Sequence, residues 1–199
     1  MDWDIEAAAR DQGKNIICGC DEAGRGPLAG PVFAAAVILP YGIDIPALND
    51  SKQLTEKQRD KLFDTITRVA VDYAVAIASV EEIEDINILN ASMLAMRRAV
   101  GMLKIKPDHA LIDGNIARGF NVSARPVIKG DALSPSIAAA SILAKVSRDR
   151  YCLEMDKTYP EYGFAKHKGY ATKYHREAIL KHGPSPVHRK SFLKKLLGE

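Results

Sequence analysis

The chain has 199 residues, of which 47% are hydrophobic and 27% charged, and this composition excludes wholesale disorder. No apolar run is long enough to span a bilayer, and the start lacks a basic-then-apolar export signal, so we expect a cytoplasmic protein without a membrane partner. Residues 1–114 hold 12 basic and 18 acidic side chains, whereas residues 115–199 hold 16 and 7. The basic second half favours a polyanionic partner, although a basic solvated helical surface would give the same count.

Hydrophobic periodicity predicts an α/β order of elements in one domain, residues 1–199. The predicted strands are residues 16–20, 32–39, 71–78, 110–114 and 125–128. The predicted helices are residues 55–69, 88–103, 134–155, 172–181 and 189–197, with a short acidic turn at residues 81–85. Thr55 to Gln58 fits a capping box, and Ser134-Pro135 is typical of a helix start.

Cysteine and histidine usage favours structural roles over metal ligation. Cys18, Cys20 and Cys152 form an odd count without zinc spacing, and Cys18 and Cys20 are expected to be buried reduced thiols on one side of a strand. The histidines of the second half are interpreted as surface residues or phosphate contacts: His167, His175, His182 and His188.

Acidic residues follow three predicted strands. Asp21 and Glu22 come after the first, Asp113 ends the fourth, and Asp131 follows the fifth. If these strands run parallel, their carboxyl ends lie at one edge of the sheet, where open α/β sheets bind ligands. The sequence therefore predicts that the acids converge, although each alone could be a helix cap or a solvated turn.

Carboxylates gathered in this way need a cation, because each raises the pKa of the others. Oxygen ligands favour a hard ion, so we expect Mg²⁺ or Mn²⁺. Two such ions about 4 Å apart can activate water and stabilise the leaving oxygen of a phosphodiester.

The glycine turn after Glu22 allows a ligand to approach the backbone closely. Gly24 and Gly26 flank Arg25, a planar cation with several donors. A nucleotide-phosphate loop is disfavoured because the spacing matches neither common motif and Pro27 lacks an amide hydrogen.

These motifs, in this order, resemble the ribonuclease HII family, the type 2 ribonucleases H. The resemblance extends from about residue 14 to residue 192 and rests on residues 21–27, 49–52, 111–115, 127–131, 140–149 and 163–170. It implies an RNase H-like α/β fold: a mixed five-stranded sheet flanked by helices, with a helical C-terminal part from about residue 157.

The resemblance also implies roles for individual residues. Asp21, Glu22, Asp113 and Asp131 match the family's four metal-binding acids, with Asp21 as the expected shared ligand. The turn Gly24-Arg25-Gly26 is expected to recognise a ribonucleotide 2′-hydroxyl through its backbone, and Tyr170 to pack on the sugar of the following deoxynucleotide. Expected phosphate contacts, each of which could equally be an ordinary solvated residue, are Lys52, Lys129, Ser141, Lys145 and Arg148.

The implied activity is endonucleolytic cleavage of the RNA strand of RNA–DNA hybrids and of single ribonucleotides embedded in duplex DNA. The cut falls 5′ of the ribonucleotide and leaves a 3′-hydroxyl and a 5′-phosphate. Two alternatives stay open: another nuclease of this fold that acts on DNA, and a non-catalytic nucleic-acid-binding domain whose acids cap helices.

Two features of related proteins are not found in this sequence, and they bear on the expected subfamily and partners. The long N-terminal domain and the different glycine turn of the ribonucleases HIII are missing. Residues 191–199 lack the glutamine-led aromatic motif with which some relatives bind a sliding clamp. We therefore expect a monomer without clamp binding.

Overall fold

The computed structural model describes residues 1–48 and 54–198. Lys52 and the rest of the motif at residues 49–52 lie outside these residues, so the predicted phosphate contact of Lys52 stays a prediction. Within the described part of the chain, no helix is both long enough and apolar enough to cross a membrane.

In the described part of the chain, five strands form one mixed sheet, as predicted. They are β1 (Ile17–Ala23), β2 (Val32–Ile38), β3 (Asp72–Ala78), β4 (His109–Asp113) and β5 (Ser123–Val127). Their order across the sheet is β3-β2-β1-β4-β5. The pairs β1–β2 and β2–β3 are antiparallel, whereas β1–β4 and β4–β5 are parallel. The expectation that the first, fourth and fifth strands run parallel is confirmed.

The helices of the described chain are α1 (Asp4–Asp11), α2 (Glu56–Val69), α3 (Val80–Met102), α4 (Gly130–Leu133), α5 (Pro135–Thr158), α6 (Phe164–His167), α7 (Lys173–His182) and α8 (Lys190–Leu197). A 3₁₀ turn at Pro160–Tyr162 joins α5 to α6. The sequence did not predict α1, α4 or α6. The last two are single turns of four residues, too short for a helical period to be visible.

Side-chain caps explain where several helices begin. Thr55 and Gln58 form the predicted capping box on α2, and Ser134 accepts a hydrogen bond from the Ile137 amide at the start of α5. The predicted acidic turn at residues 81–85 is instead the first part of α3. At Asn87 (φ +65°) the helical backbone is interrupted, and the Asn87 side chain accepts from the amides of the residues that resume the helix.

The sheet has a core on each face. On one face Cys18, Cys20 and Ile112 pack with Ala95 and Met96 of α3. The expectation of buried thiols on one side of β1 is confirmed, and burial raises the pKa of Cys18 to about 12.

On the other face, α5 crosses β1 and β2 and packs against α2. At Gly19 the two backbones meet: a Cβ atom added there would lie 2.1 Å from the Ser136 carbonyl carbon. Glycine at this position therefore lets α5 lie directly on the strand that carries Asp21 and Glu22.

The C-terminal part has an apolar cluster of its own, in which Tyr162, Phe164, Ile179 and Leu193 are buried together with Cys152. Because α5 contributes both to this cluster and to the sheet packing, it connects the two parts. The prediction of a single domain stays a prediction.

Candidate active site

Asp21 and Glu22 lie inside β1, not after it. They pair with Ala35 and Ala34 of β2, so the predicted end of the strand at Cys20 is wrong. The parallel pairing of β1 with β4, however, ends at Cys20 and Ile112. With respect to β4, both acids are therefore just past the last pair, and the next residue of β4 is Asp113.

Three of the predicted acids open into one cleft of about 230 Å³. Its lining residues are Asp21, Glu22, Ala23, Gly24, Arg59, Asp113, Ser141, Lys145, Arg148 and Tyr170. The cleft brings together residues from β1, the glycine turn, β4, α2, α5 and the segment before α7. The predicted convergence of acids at one sheet edge is therefore seen for Asp21, Glu22 and Asp113.

The cleft concentrates negative charge. Asp21 is only 5% exposed, and its burial, followed by the charges of Glu22 and Asp113, raises its pKa well above the usual range. A hydrogen bond from the Ser141 hydroxyl opposes this rise, as does one from the Glu22 amide to Asp21 Oδ1 at 2.7 Å. Burial likewise raises the pKa of Glu22, against the effect of Arg25, whose Nη1 lies 3.1 Å from Glu22 Oε1.

Asp131 adjoins this cleft but is not among the described residues that line it. It is buried in α4, and its amide lies 3.4 Å from Asp113 Oδ1. The Gly130 amide donates to the same oxygen at 2.7 Å. Gly130 permits this approach, because an added Cβ would lie 2.5 Å from Ile137 Cδ1 and 3.2 Å from Asp113 Oδ1.

The donor set fits a hard divalent cation. Asp21, Glu22 and Asp113 offer only carboxylate oxygens, and their mutual repulsion would be relieved by a bound cation. Across residues 1–48 and 54–198, no three His, Cys, Asp or Glu side chains are already arranged as a closed metal cluster. Metal ligation by these acids, and by Asp131, therefore stays a prediction.

The glycine turn faces the Tyr170 ring. Gly24 has φ +99°, and an added Cβ would lie 2.0 Å from Arg148 Nε, so both the backbone angle and the space require glycine. At Gly26 the position of an added Cβ is 3.7 Å from Tyr170 Cε1. Tyr170 is 47% exposed, which leaves the ring open to a ligand.

Arg148 lines the cleft, but its side chain is engaged with protein carbonyls, and its expected contact with phosphate stays a prediction. This side chain is 1% exposed; its Nη1 donates to the Lys168 carbonyl at 2.9 Å and its Nη2 to the Ala29 carbonyl at 3.2 Å. Arg148 therefore joins two loops behind the glycine turn. The helix period placed it beside Lys145, but could not show that this end of α5 is covered by the C-terminal part.

The other expected phosphate contacts have varied surroundings. Lys145 lines the cleft and forms an ion pair with Asp149 at 2.5 Å. Lys129 is exposed at the start of α4, in a left-handed conformation with φ +56°. Ser141 is buried, with its hydroxyl bonded to Asp21. Contact of these three residues with phosphate stays a prediction.

The position of Arg59 and the burial of two histidines were not predicted from the sequence. Arg59 lines the cleft from α2, where no motif marks it, and its Nη2 lies 3.9 Å from Asp149 Oδ2. His175 and His188 are buried, so their interpretation as surface residues is wrong. They belong to a ring cluster with Tyr162 and Phe164, residues that only the folded C-terminal part brings together.

The fold and the acidic cleft define an RNase H-like hydrolase, and the comparisons with known proteins agree. The family model described as Ribonuclease HII matches residues 18–195. The ribonuclease HII of Clostridioides difficile is 53% identical over 193 residues, covering 97% of this chain and 76% of the relative. That of Acetivibrio thermocellus is 55% identical over 192 residues, covering 96% and 75%.

Among solved structures, the ribonuclease H2 of Pyrococcus horikoshii OT3 superposes with a TM-score of 0.75 at 27% identity, covering 92% of this chain and 97% of that one. The chain belongs to the ribonuclease HII family. It is therefore a metal-dependent ribonuclease H, and the resemblance inferred from its motifs is confirmed.

Proposed function

We propose that this ribonuclease H cleaves the RNA strand of RNA–DNA hybrids and also cuts at single ribonucleotides embedded in duplex DNA. The cut falls on the 5′ side of the ribonucleotide and leaves a 3′-hydroxyl and a 5′-phosphate. One observation carries the proposal: Asp21, Glu22 and Asp113 share a cleft with Gly24 and Tyr170. Acids suited to a metal and a turn suited to a sugar thus meet at one place.

The acids would hold Mg²⁺ or Mn²⁺. Asp21, Glu22 and Asp113 would do so from the cleft, with Asp131 reaching it from α4. When bound, two divalent ions activate water and stabilise the departing 3′-oxygen. Ser141 orients Asp21 through its hydroxyl, and the Gly130 amide orients Asp113, so both carboxylates are held before any ion arrives.

The turn Gly24-Arg25-Gly26 would recognise the 2′-hydroxyl of the ribonucleotide on the 3′ side of the cut. Gly24 and Gly26 carry no side chain, so a sugar can approach their backbone closely. The Arg25 side chain is directed to Glu22, which leaves recognition to the backbone. A 2′-hydroxyl is the group that distinguishes RNA from DNA at a single position.

Tyr170 would pack on the sugar of the next nucleotide. Its half-exposed ring stands beside Gly26. A nucleic-acid strand whose ribonucleotide lies on the glycine turn would place its next sugar near this ring. A hydroxyl pressed against this ring would lose its hydrogen bonds to water, which carries a cost of about 1–3 kcal/mol. The ring therefore favours a deoxyribonucleotide at that position.

The duplex would be held by sequence-independent phosphate contacts. We assign these to Lys129, Lys145 and, outside the described residues, Lys52, because phosphate contacts position a duplex without reading its bases. We further propose that the chain acts as a monomer in the cytoplasm, where its three free cysteines would stay reduced.

The test compares three labelled duplexes in the presence of Mn²⁺: one with a single ribonucleotide, one continuous RNA–DNA hybrid and one all-DNA duplex. Cleavage of the first two with 3′-hydroxyl ends, and none of the third, supports the proposal. Comparable cutting of the all-DNA duplex would instead favour a DNA nuclease of this fold. Binding of all three without cleavage would favour a non-catalytic domain.

A further inference from the structure

A short segment before α8 lies along residues 28–30, which connect the glycine turn to β2. The Gly30 amide donates to the Val187 carbonyl at 2.8 Å, and the Arg189 amide donates to the Leu28 carbonyl at 2.8 Å. Between these two bonds, Ala29 and His188 form an isolated antiparallel bridge. The backbone position of His188 is thereby fixed relative to the turn.

Arg189 extends this attachment to the turn itself. The side chain is fully buried, and its three nitrogens donate to three carbonyls: Nε to Gly30 at 2.9 Å, Nη1 to Arg25 at 2.9 Å and Nη2 to Gly24 at 2.6 Å. Only a guanidinium offers donors in such a planar fork. The segment that carries His188 and the turn Gly24–Gly26 therefore form one rigid unit.

The His188 side chain begins a relay of hydrogen bonds. The Ser185 amide donates to His188 Nδ1 at 3.0 Å, so Nδ1 is an acceptor. A neutral imidazole then carries its proton on Nε2. His188 Nε2 lies 3.0 Å from His175 Nε2, and must be the donor in this bond.

The direction of the relay continues through His175. Because its Nε2 accepts from His188, its proton is on Nδ1, which donates to the Tyr170 carbonyl at 2.9 Å. Both histidines are buried, and His167 stacks on the His175 ring at a centroid distance of 4.3 Å. The backbone amide of Ser185 thus determines the tautomers of His188 and His175, and the relay ends at the Tyr170 carbonyl.

We propose that His188 and His175 are positioning residues that hold Tyr170 at a set distance from the glycine turn. The inference rests on the proposed roles of Tyr170 and of Gly24–Gly26. On this account the relay fixes the backbone of Tyr170, and the preference for a deoxyribonucleotide after the ribonucleotide depends on it. Cleavage of continuous hybrids depends on the relay less, because they present a ribose at the Tyr170 position.

The experiment measures kcat/KM on a duplex with a single ribonucleotide and on a continuous hybrid. The ratio is the value for the single-ribonucleotide duplex divided by the value for the hybrid. His188→Asn keeps an acceptor near the Ser185 amide but lacks a donor that reaches His175. His188→Gln places an amide donor near the original Nε2. We expect His188→Asn to lower the ratio about fivefold, the effect of one ordinary net hydrogen bond, and His188→Gln to restore most of it.

Two variants serve as references. His182→Asn changes an exposed histidine of the neighbouring helix α7 and should leave the ratio unchanged. Tyr170→Ala should lower the ratio at least as far as His188→Asn does. If Tyr170→Ala leaves the ratio unchanged, the proposed function of Tyr170 is wrong. If Tyr170→Ala lowers the ratio but His188→Asn does not, or lowers both kcat/KM values equally, the relay inference alone is wrong.

A measurement on the unaltered protein does not depend on the folding of any variant. Nitrogen-15 NMR distinguishes protonated from unprotonated ring nitrogens of histidine. The relay requires the proton of His188 on Nε2 and that of His175 on Nδ1 at neutral pH. The opposite tautomer at either ring would overturn the inference.

Discussion

Gly19→Ala is expected to destabilise the protein strongly, because the added methyl group has no space. Its Cβ would lie 2.1 Å from the Ser136 carbonyl carbon and 2.3 Å from the Ile137 nitrogen. Both atoms belong to the backbone of α5, so no side-chain rotation can relieve the contact. To reach an ordinary separation of about 3.5 Å, α5 must move away from β1 by more than about 1 Å.

The size of the effect follows from this displacement. Overpacking a well-packed core by one methyl group costs about 1–3 kcal/mol, and contact with backbone atoms places Gly19→Ala at the upper end, near 3 kcal/mol. With an m value of about 2 kcal/mol/M, the urea midpoint should fall by about 1.5 M. Because α5 carries Ser141 and Lys145 while β1 carries Asp21, kcat should fall as well, by up to about 100-fold for a 1 Å misplacement.

Gly101→Ala is the matched control. Gly101 lies near the end of α3, and an added Cβ there meets no atom within 4 Å. Alanine in a helix should stabilise by about 0.5–1 kcal/mol. Urea unfolding followed by circular dichroism checks both variants. A free energy of unfolding for Gly19→Ala within 1 kcal/mol of the unaltered protein would refute the proposed contact between α5 and β1.

Three further predictions concern the site and its support. Burial lowers the pKa values of His175 and His188 from 6.5 to about 4. Between pH 7 and pH 4 the unfolded chain therefore binds more protons at these histidines than the folded protein, and stability should fall by about 3 kcal/mol for each of the two. Urea midpoints across this pH range, compared with those of His188→Asn, check it, and an equal pH dependence in both proteins would contradict it. Ser141→Ala removes the hydroxyl that donates to Asp21 and should lower kcat about tenfold, the effect of one hydrogen bond to a charged group. An unchanged kcat at saturating Mn²⁺ would show that Ser141 does not orient Asp21. Tyr170→Phe should retain the substrate preference that Tyr170→Ala loses, because ring packing and not the phenol oxygen is proposed to act; loss in both would show that the oxygen is needed.

Much of the sheet could be predicted because its signals are local. The predicted first, second and fourth strands are apolar runs, the third alternates between apolar and other residues, and the capping box of α2 marks its start within four residues. The meeting of Asp21 with Asp113 was also predictable, since it requires only that β1 and β4 be parallel. The exact end of β1 could not be predicted, because Asp21 and Glu22 pair with Ala35 and Ala34 of β2, and the local sequence of β1 does not show this pairing.

Burial in the C-terminal part could not be predicted from local pattern. Arg148 and His188 are polar residues of a basic segment, and their sequence neighbours suggest solvent or phosphate. They are buried because α5, the turn after Gly24 and the segment before α8 pack together across more than 100 residues of chain, where carbonyls accept hydrogen bonds from Arg148 and Arg189. The burial of Asp131 could not be predicted either, because it lies in α4, a helical turn of only four residues that shows no helical period in the sequence.

Cleavage of duplex DNA that contains one ribonucleotide, by the unaltered protein and by Asp21→Asn, tests the function of the acidic cleft most directly. We expect one cut 5′ of the ribonucleotide with Mg²⁺ or Mn²⁺, no cut with excess chelator, and no cut by Asp21→Asn although the variant still binds the duplex. Cleavage that persists in chelator or in Asp21→Asn would contradict the assignment of the acidic cleft as a metal-dependent active site.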